Sequence, residues 1–215
     1  MPYFKEFNSF FIHIPKNAGR SIEQAFLGSR DAPNKGRRSK LNRLFHFLSV
    51  ATSSEYAKEN LIGTLDYVLA SQHLTYLELD LLGLLPTDDC AYFSIIRNPF
   101  DRAVSSVFHF QVDHSNPIRD PSEFERQLGA WLDRELTDHY LRAHRRPQSD
   151  FLVNKDGQVI DAAFLRFESL QSDLKGRAER NCLQIPDLPW HGRSNRDRDY
   201  HELFTSHARK RIERE

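Results

Sequence analysis

The chain has 215 residues, long enough for one domain with a substantial buried core. Its 30 lysines and arginines balance its 30 aspartates and glutamates, so net charge gives no reason to expect a nucleic-acid partner. With 39% hydrophobic and 28% charged residues and no apolar run of membrane-spanning length, the composition predicts a soluble protein.

The first residues, MPYFKEFNSF, show no basic segment followed by a long apolar one, so no signal peptide is expected and the cytoplasm is the expected compartment. The two cysteines, Cys90 and Cys182, stand far apart without metal-like spacing, and a reduced pair is expected.

Phe10, Phe11, Ile12 and Ile14 form an apolar run that predicts a buried strand, stopped by Pro15. Lys16-Asn17-Ala18-Gly19 is turn chemistry. From Arg20, residues Ile22, Ala25, Phe26 and Leu27 recur at helical spacing, with Gly28 as the expected stop. A strand, a tight loop holding glycine and lysine, and then a helix is an arrangement that cradles a phosphate. Helix N-terminal N–H groups and the helix dipole favour an anion, and lysine adds a full charge.

Ser29 to Arg43 is polar and basic and predicts an exposed loop, followed by a short helix over Leu41 to Phe47 and an irregular polar stretch over Ser54 to Asn60. Tyr67 to Ala70 predicts a second strand, which places His73 at the C-terminal end where open α/β sheets face their ligands. Leu74 to Leu85 reads as a helix ended by Gly83 and Pro86. Cys90 to Ile96 is the clearest strand and runs into Arg97-Asn98-Pro99. Asn98 predicts an N-cap with Pro99 at the first helical position, for a helix reaching Phe110. Phe100, Val104, Val107 and Phe108 are expected to face the sheet, with Asp101, Ser105 and His109 on another face.

Phe124 to Leu136 predicts a helix, and His139 to Leu152 is a basic stretch. Asn154 to Gly157 predicts a hairpin turn between Phe151–Val153 and Val159–Ile160. Ala163 to Phe167 predicts the last core strand, Leu170 to Cys182 a helix, Leu188 to Tyr200 a loop, and His201 to Glu215 a charged terminal helix. Alternating strands and helices predict a single α/β domain over 1–215 with three layers: a mostly parallel central sheet and helices on both faces.

Two strand-to-helix junctions therefore carry anion-binding groups, Lys16 with Ser21 and Arg97 with Ser105. The ATP phosphate loop needs glycine, four residues, then glycine-lysine-serine or threonine, and that order is absent. No acidic residue ends a second strand to hold magnesium, which leaves a small-molecule kinase the weakest reading.

FIHIPKNAGRSI resembles the 5′-phosphosulfate loop of sulfotransferases, and IIRNPFDRAVSSVF resembles their 3′-phosphate motif. The His-Ile-Pro-Lys wording is most similar to the branch containing heparan sulfate 2-O-sulfotransferase and its bacterial relatives. HRRPQSDFL and LRFESLQSDL also resemble segments of that branch, so the similarity extends from about Phe10 to Tyr200. The resemblance implies a P-loop nucleotide-hydrolase-like sulfotransferase fold. It implies the donor 3′-phosphoadenosine-5′-phosphosulfate, with adenosine 3′,5′-bisphosphate as product and no metal. The acceptor it implies is a hydroxyl or amine, with a glycan or small hydroxylated metabolite expected here.

On that resemblance Lys16 steadies the leaving oxygen, and Asn17, Ala18, Gly19, Arg20 and Ser21 contact the 5′-phosphate. Arg97 and Ser105 take the 3′-phosphate, and His73 is the base. A closing loop is expected at His191 to Arg196, with Ser194 as a further contact, and Arg142, Arg145 and Arg146 line an acceptor cleft or form a solvated basic face. His13 is expected to be structural, and His109 to face away from the sheet, a minor further candidate for reaching the site. Two departures stand out. Arg20 replaces the commoner threonine, and the chain ends at Glu215, where relatives continue with an acidic and aromatic segment. A binding module without turnover is the alternative from another class.

Overall fold

The computed structural model describes residues 3–4, 8–31, 73–86, 89–111, 118, 120–180, 188 and 199–215. At its centre β2 (Ser9–Ile12), β3 (Ala91–Ile96) and β4 (Ala162–Arg166) pair in parallel. The short β1 (Tyr3–Phe4) adds antiparallel to β2, which gives the order β1-β2-β3-β4. The expected strand at Tyr67 to Ala70 and the segments at 41–47 and 54–60 lie outside the described residues.

β2 is buried on both faces, which is why it reads as an unbroken apolar run rather than an alternating one. Phe10 and Ile12 point to one side, where they pack with Leu74, Leu79, Leu82, Ala143, Phe151 and Leu152. Phe11 points to the other, with Ile22, Phe93, Ile95, Leu165, Leu170 and Leu174. The first face is covered by α2 (Tyr76–Leu81) and α5 (His139–Arg145), and the second by α1 (Gly19–Asp31) and α6 (Leu170–Arg180). This α/β arrangement is compatible with three layers.

Several boundaries differ from expectation. α1 continues through Gly28 to Asp31, so Ser29 and Arg30 are helical; a glycine inside a helix costs about 1 kcal/mol, too little to end it. Phe151 and Leu152 sit in a short 3-10 turn, Ser149–Leu152, and only Val153 bridges to Val159 across the Asn154–Gly157 turn. The terminal segment is a 3-10 turn, Tyr200–Leu203, followed by α7 (Ser206–Ile212) capped by Thr205.

The largest correction concerns α3 (Pro99–Phe110). Its apolar stripe does not meet the sheet. Val104 and Val107 pack with Phe124, Leu128, Trp131 and Leu132 of α4 (Pro121–Asp133), and with Leu203, Phe204 and Ala208 near the C-terminus. The polar face carrying Asp101, Arg102 and Ser105 is buried instead, against the ends of the strands. A second helical layer supplies the apolar partners, so the polar stripe is left to face the site. No helix among the described residues is long and apolar enough to cross a membrane.

α2 and α5 are joined by a buried carboxylate. Glu78 closes a capping box with Thr75, accepts from Arg146 Nη1 at 2.9 Å, and lies 3.5 Å from His139 Nε2. Burial alone would raise its pKa, but His139, Arg146 and the Thr75 N–H bring it down to about 2 from 4.5. A carboxylate depressed on folding stabilises above its unfolded pKa and loses that contribution as pH falls through the folded one. The Glu78 network should therefore supply roughly 3 kcal/mol at neutral pH and fade between pH 4.5 and about 2. In urea unfolding, the gap between the native chain and Glu78→Gln should narrow steadily across that window; a gap independent of pH would refute the assignment.

Candidate functional site

The parallel register of β2 and β3 sets the two sequence-predicted junctions side by side at one edge of the sheet. Beyond β2 the chain runs through His13, Ile14 and Pro15 into a loop with two left-handed residues, Lys16 (φ 68°) and Ala18 (φ 60°). Neither is glycine, so each costs roughly 1–2 kcal/mol, a strain that functional loops retain and structural ones usually shed. Left-handed residues alternating with ordinary ones turn backbone N–H groups into a shared concavity suited to an anion. Helix α1 starts at once, with Ala18 O accepting from Ser21 N (2.9 Å) and Ile22 N (3.2 Å).

Gly19 is required for close approach rather than for backbone freedom. A Cβ there would lie 1.9 Å from His13 Nε2, because the imidazole packs flat against the first turn of α1. His13 also stacks on Phe11 and lies 3.2 Å from Glu23 Oε1, so it braces the loop from beneath, more intimately than a strand-interior residue.

Lys16 is largely buried between cations. Burial first, then Arg97 and Arg20, lower its amine from 10.5 to about 8. Asn17 is buried and both its amide hydrogens are engaged, by Ile95 O and by Gln148 Oε1, each at 2.6 Å. Its side chain therefore ties the loop to β3, and only its backbone remains to serve an anion. Arg20 is exposed, while Ser21 is buried in the first turn of α1.

Arg97 follows β3 directly and is buried too. Its Nε donates to Asp101 at 2.7 Å, its Nη1 to Lys16 O at 2.6 Å, and its plane lies 3.9 Å above the Phe167 ring. Gln148 completes the join by accepting from Arg97 N and donating to Arg97 O. Asn98 caps α3 as predicted, through Phe100 N and Asp101 N, and Glu168 accepts from its own N–H. Ser105 lies one turn beyond Asp101 and is buried.

His73 joins this group from the segment before α2. Its Nδ1 lies 3.2 Å from His13 O. A carbonyl only accepts, so Nδ1 carries the hydrogen and Nε2 is the unprotonated nitrogen of the neutral ring. Burial first, then the neighbouring His13 and His144, hold its pKa well below 6.5, so the ring is neutral across the physiological range.

Around it stands a wall that the sequence did not announce. His144 meets His73 edge-on with centroids 5.1 Å apart, and stacks parallel to His109 at 5.6 Å. Tyr140 contacts both His144 and His73, and its hydroxyl lies 2.9 Å from His109 Nε2. Burial lowers His144 to about 3, with His109, Lys16 and Arg102 adding to the effect. Partial burial, then Lys16 and Arg20, lower His109 to about 4, and its contacts with His144 and Tyr140 set it in this wall rather than facing away. Among the described residues no grouping of three or more histidine, cysteine or acidic side chains is arranged to hold a metal.

The basic stretch divides. Arg146 is held by Glu78, and Arg145 by Arg134 O and the Glu215 carboxylate, so neither is a free cleft cation. Ser194 and the rest of His191 to Arg196 lie outside the described residues. The sequence reading missed Gln148, His144, Tyr140 and Arg102; the first three share one signal, crowding the YLRAHRRPQ run where proline forces an abrupt helix end, and Arg102 carries none. A surface groove of about 440 Å³ between α4 and α7 contains none of these residues.

No family model, curated protein or solved structure matches this chain.

Replacing Gly19 with alanine should force the His13 ring off α1 and destabilise the fold by about 1–3 kcal/mol, read as a lower unfolding midpoint. The variant should also weaken anion binding by the loop. A midpoint equal to that of the native chain would mean that the ring has room to move.

Proposed function

We propose that this chain is a sulfotransferase of the P-loop-like sulfotransferase fold, taking the sulfuryl group of 3′-phosphoadenosine-5′-phosphosulfate to a hydroxyl of a glycan or small metabolite. The observation that carries the reading is the junction after β2. There a strained, cation-bearing loop opens directly into the N-terminus of α1, beside a neutral histidine whose tautomer is set by a backbone carbonyl.

The residues fit such a donor unequally. The N–H groups from Lys16 to Arg20 suit the 5′-phosphate, and the Lys16 ammonium suits the oxygen on which charge grows as the bond to sulfur breaks. The acceptor oxygen forms the new bond to sulfur while its proton passes to Nε2 of His73, and adenosine 3′,5′-bisphosphate departs. Arg97 and Ser105 are the available anchors for the 3′-phosphate. Asp101 already holds the Arg97 fork, so that phosphate competes with a carboxylate and gains less there than at the loop.

The second reading, a module that binds the bisphosphate without turnover, is favoured by one observation. His73 is only 4% exposed, which restricts the approach of an acceptor.

Calorimetry with adenosine 3′,5′-bisphosphate tests the first half of the proposal. Lys16→Ala should weaken binding about 10- to 100-fold, the worth of a charge-assisted hydrogen bond, and binding to the native chain should decline as pH rises through about 8. Equal affinity in both proteins would remove the donor assignment. A sulfuryl-transfer assay tests the second half. His73→Ala should bind the bisphosphate normally yet transfer nothing to a hydroxyl, and the native rate should hold as pH falls through 6.5, because His73 titrates well below that value. Binding with no transfer to any of a broad acceptor panel would establish the module instead.

A further inference from the structure

Arg102 is placed where almost every local rule opposes a cation. It is buried, only 8% exposed. It lies in the first turn of α3, where the helix dipole repels positive charge, and its N–H bonds to Asn98 O. Arg97 lies close enough to disfavour its charge further, and burial with that neighbour brings its pKa to about 10. Its hydrogen-bond acceptors are all backbone carbonyls rather than carboxylates. Nε donates to Pro15 O (3.1 Å), Nη1 to Arg146 O (2.9 Å), and Nη2 to Ala143 O and His144 O (both 3.4 Å).

The last three carbonyls end α5, where the helix dipole is negative and lone pairs lack intrahelical donors. They stabilise the cation, but an apolar side chain of similar volume would fill the space without the desolvation cost. What an apolar side chain cannot supply is geometry. One planar guanidinium reaches the residue before Lys16 with one edge, and the helix bearing His144 and Tyr140 with the other.

We propose that Arg102 is a positioning residue that locks the Lys16 loop and the His144–Tyr140 wall into one register, so that the cation and the imidazoles face the same space. The register is set through Pro15 O, whose fixed direction constrains the peptide leading into the left-handed Lys16. At the other end it is continued by Arg146, which carries the pairing on to Glu78 and so to α2, directly after His73. The proposal holds whichever anion the loop takes.

Arg102→Lys keeps the charge and loses the fork, and the Lys16 amine is the probe. Its titration in the unliganded chain, followed by NMR on labelled lysine, should move up from about 8 toward the ordinary 10.5 as the loop relaxes into solvent. The His144 ring resonances should shift in the same variant, with circular dichroism showing helix content retained. A purely structural bolt elsewhere in the core would lower the unfolding midpoint without moving the Lys16 titration. A folded Arg102→Lys chain with native Lys16 and His144 signals overturns the proposal. Should the variant not fold, native-state hydrogen exchange on the unaltered chain decides. The amides of residues 16–18 and those of α5 should open together as denaturant rises, and separate opening overturns it. None of these readings requires donor or acceptor, so a failed sulfotransferase assay leaves them intact.

Discussion

Two parallel strands ending beside each other leave a gap that has to be closed with polar groups, and in this chain one glutamine closes it. Gln148 accepts from Arg97 N and Asn17 Nδ2 through one oxygen and donates to Arg97 O through its nitrogen. The backbone of β3 and the loop after β2 thus share one amide plane. Both ends of the Gln148 amide are engaged, so the junction is tied from two sides even though the buried Asn17 Oδ1 has no partner among the described residues. The left-handed residues Lys16 and Ala18 depend on it, since strained backbone persists only where its surroundings over-determine it.

The same constraint explains the burial of α3's polar face. A helix whose apolar stripe lay on the sheet would turn Asp101, Arg102 and Ser105 away from the strand ends. With α4 and α7 packed on Val104 and Val107, the stripe is satisfied from outside and the polar face is turned inward. Asp101 then neutralises Arg97, and Arg102 reaches across to α5. Helix packing in the outer layer therefore decides the chemistry of the inner one.

Local structure was legible in the sequence mostly where the determinants were neighbours in the chain, although Gly28 did not end α1 and Phe151–Leu152 did not form a strand. The strands from Phe10 to Ile12 and from Ala91 to Ile96, the Asn98 cap and the loop from Lys16 to Ser21 all follow from adjacent residues. The orientation of α3 was not legible, because it depends on Phe124, Trp131, Leu203 and Phe204, which its own periodicity does not contain. The sharing of Asn17 between Ile95 O and Gln148 was equally hidden: a turn asparagine looks the same whether its amide faces a ligand or another strand. His144 and Tyr140 sit four residues apart on a seven-residue helix, and no metal spacing or motif marks them.

Charge in this site is divided by residue type rather than by position. Lys16, Arg97 and Arg102 crowd together, each lowering or lowered by a neighbour, and Asp101 is the carboxylate within that group. The imidazoles beside them cannot add further positive charge, because burial holds His73, His144 and His109 neutral, with nearby cations adding to the effect at His144 and His109. A cation cluster next to neutral, tautomer-fixed nitrogens separates two tasks that would otherwise interfere. Under the proposed function, an arriving anion is attracted by fixed charge, while proton acceptance is left to a ring that burial keeps unprotonated. An anion bound at the loop would in turn offset the cations that depress Lys16, His144 and His109, raising the affinity of these groups for protons. The electrostatics of the loop and of the wall are therefore one system, which is why their relative register carries more weight than either part alone.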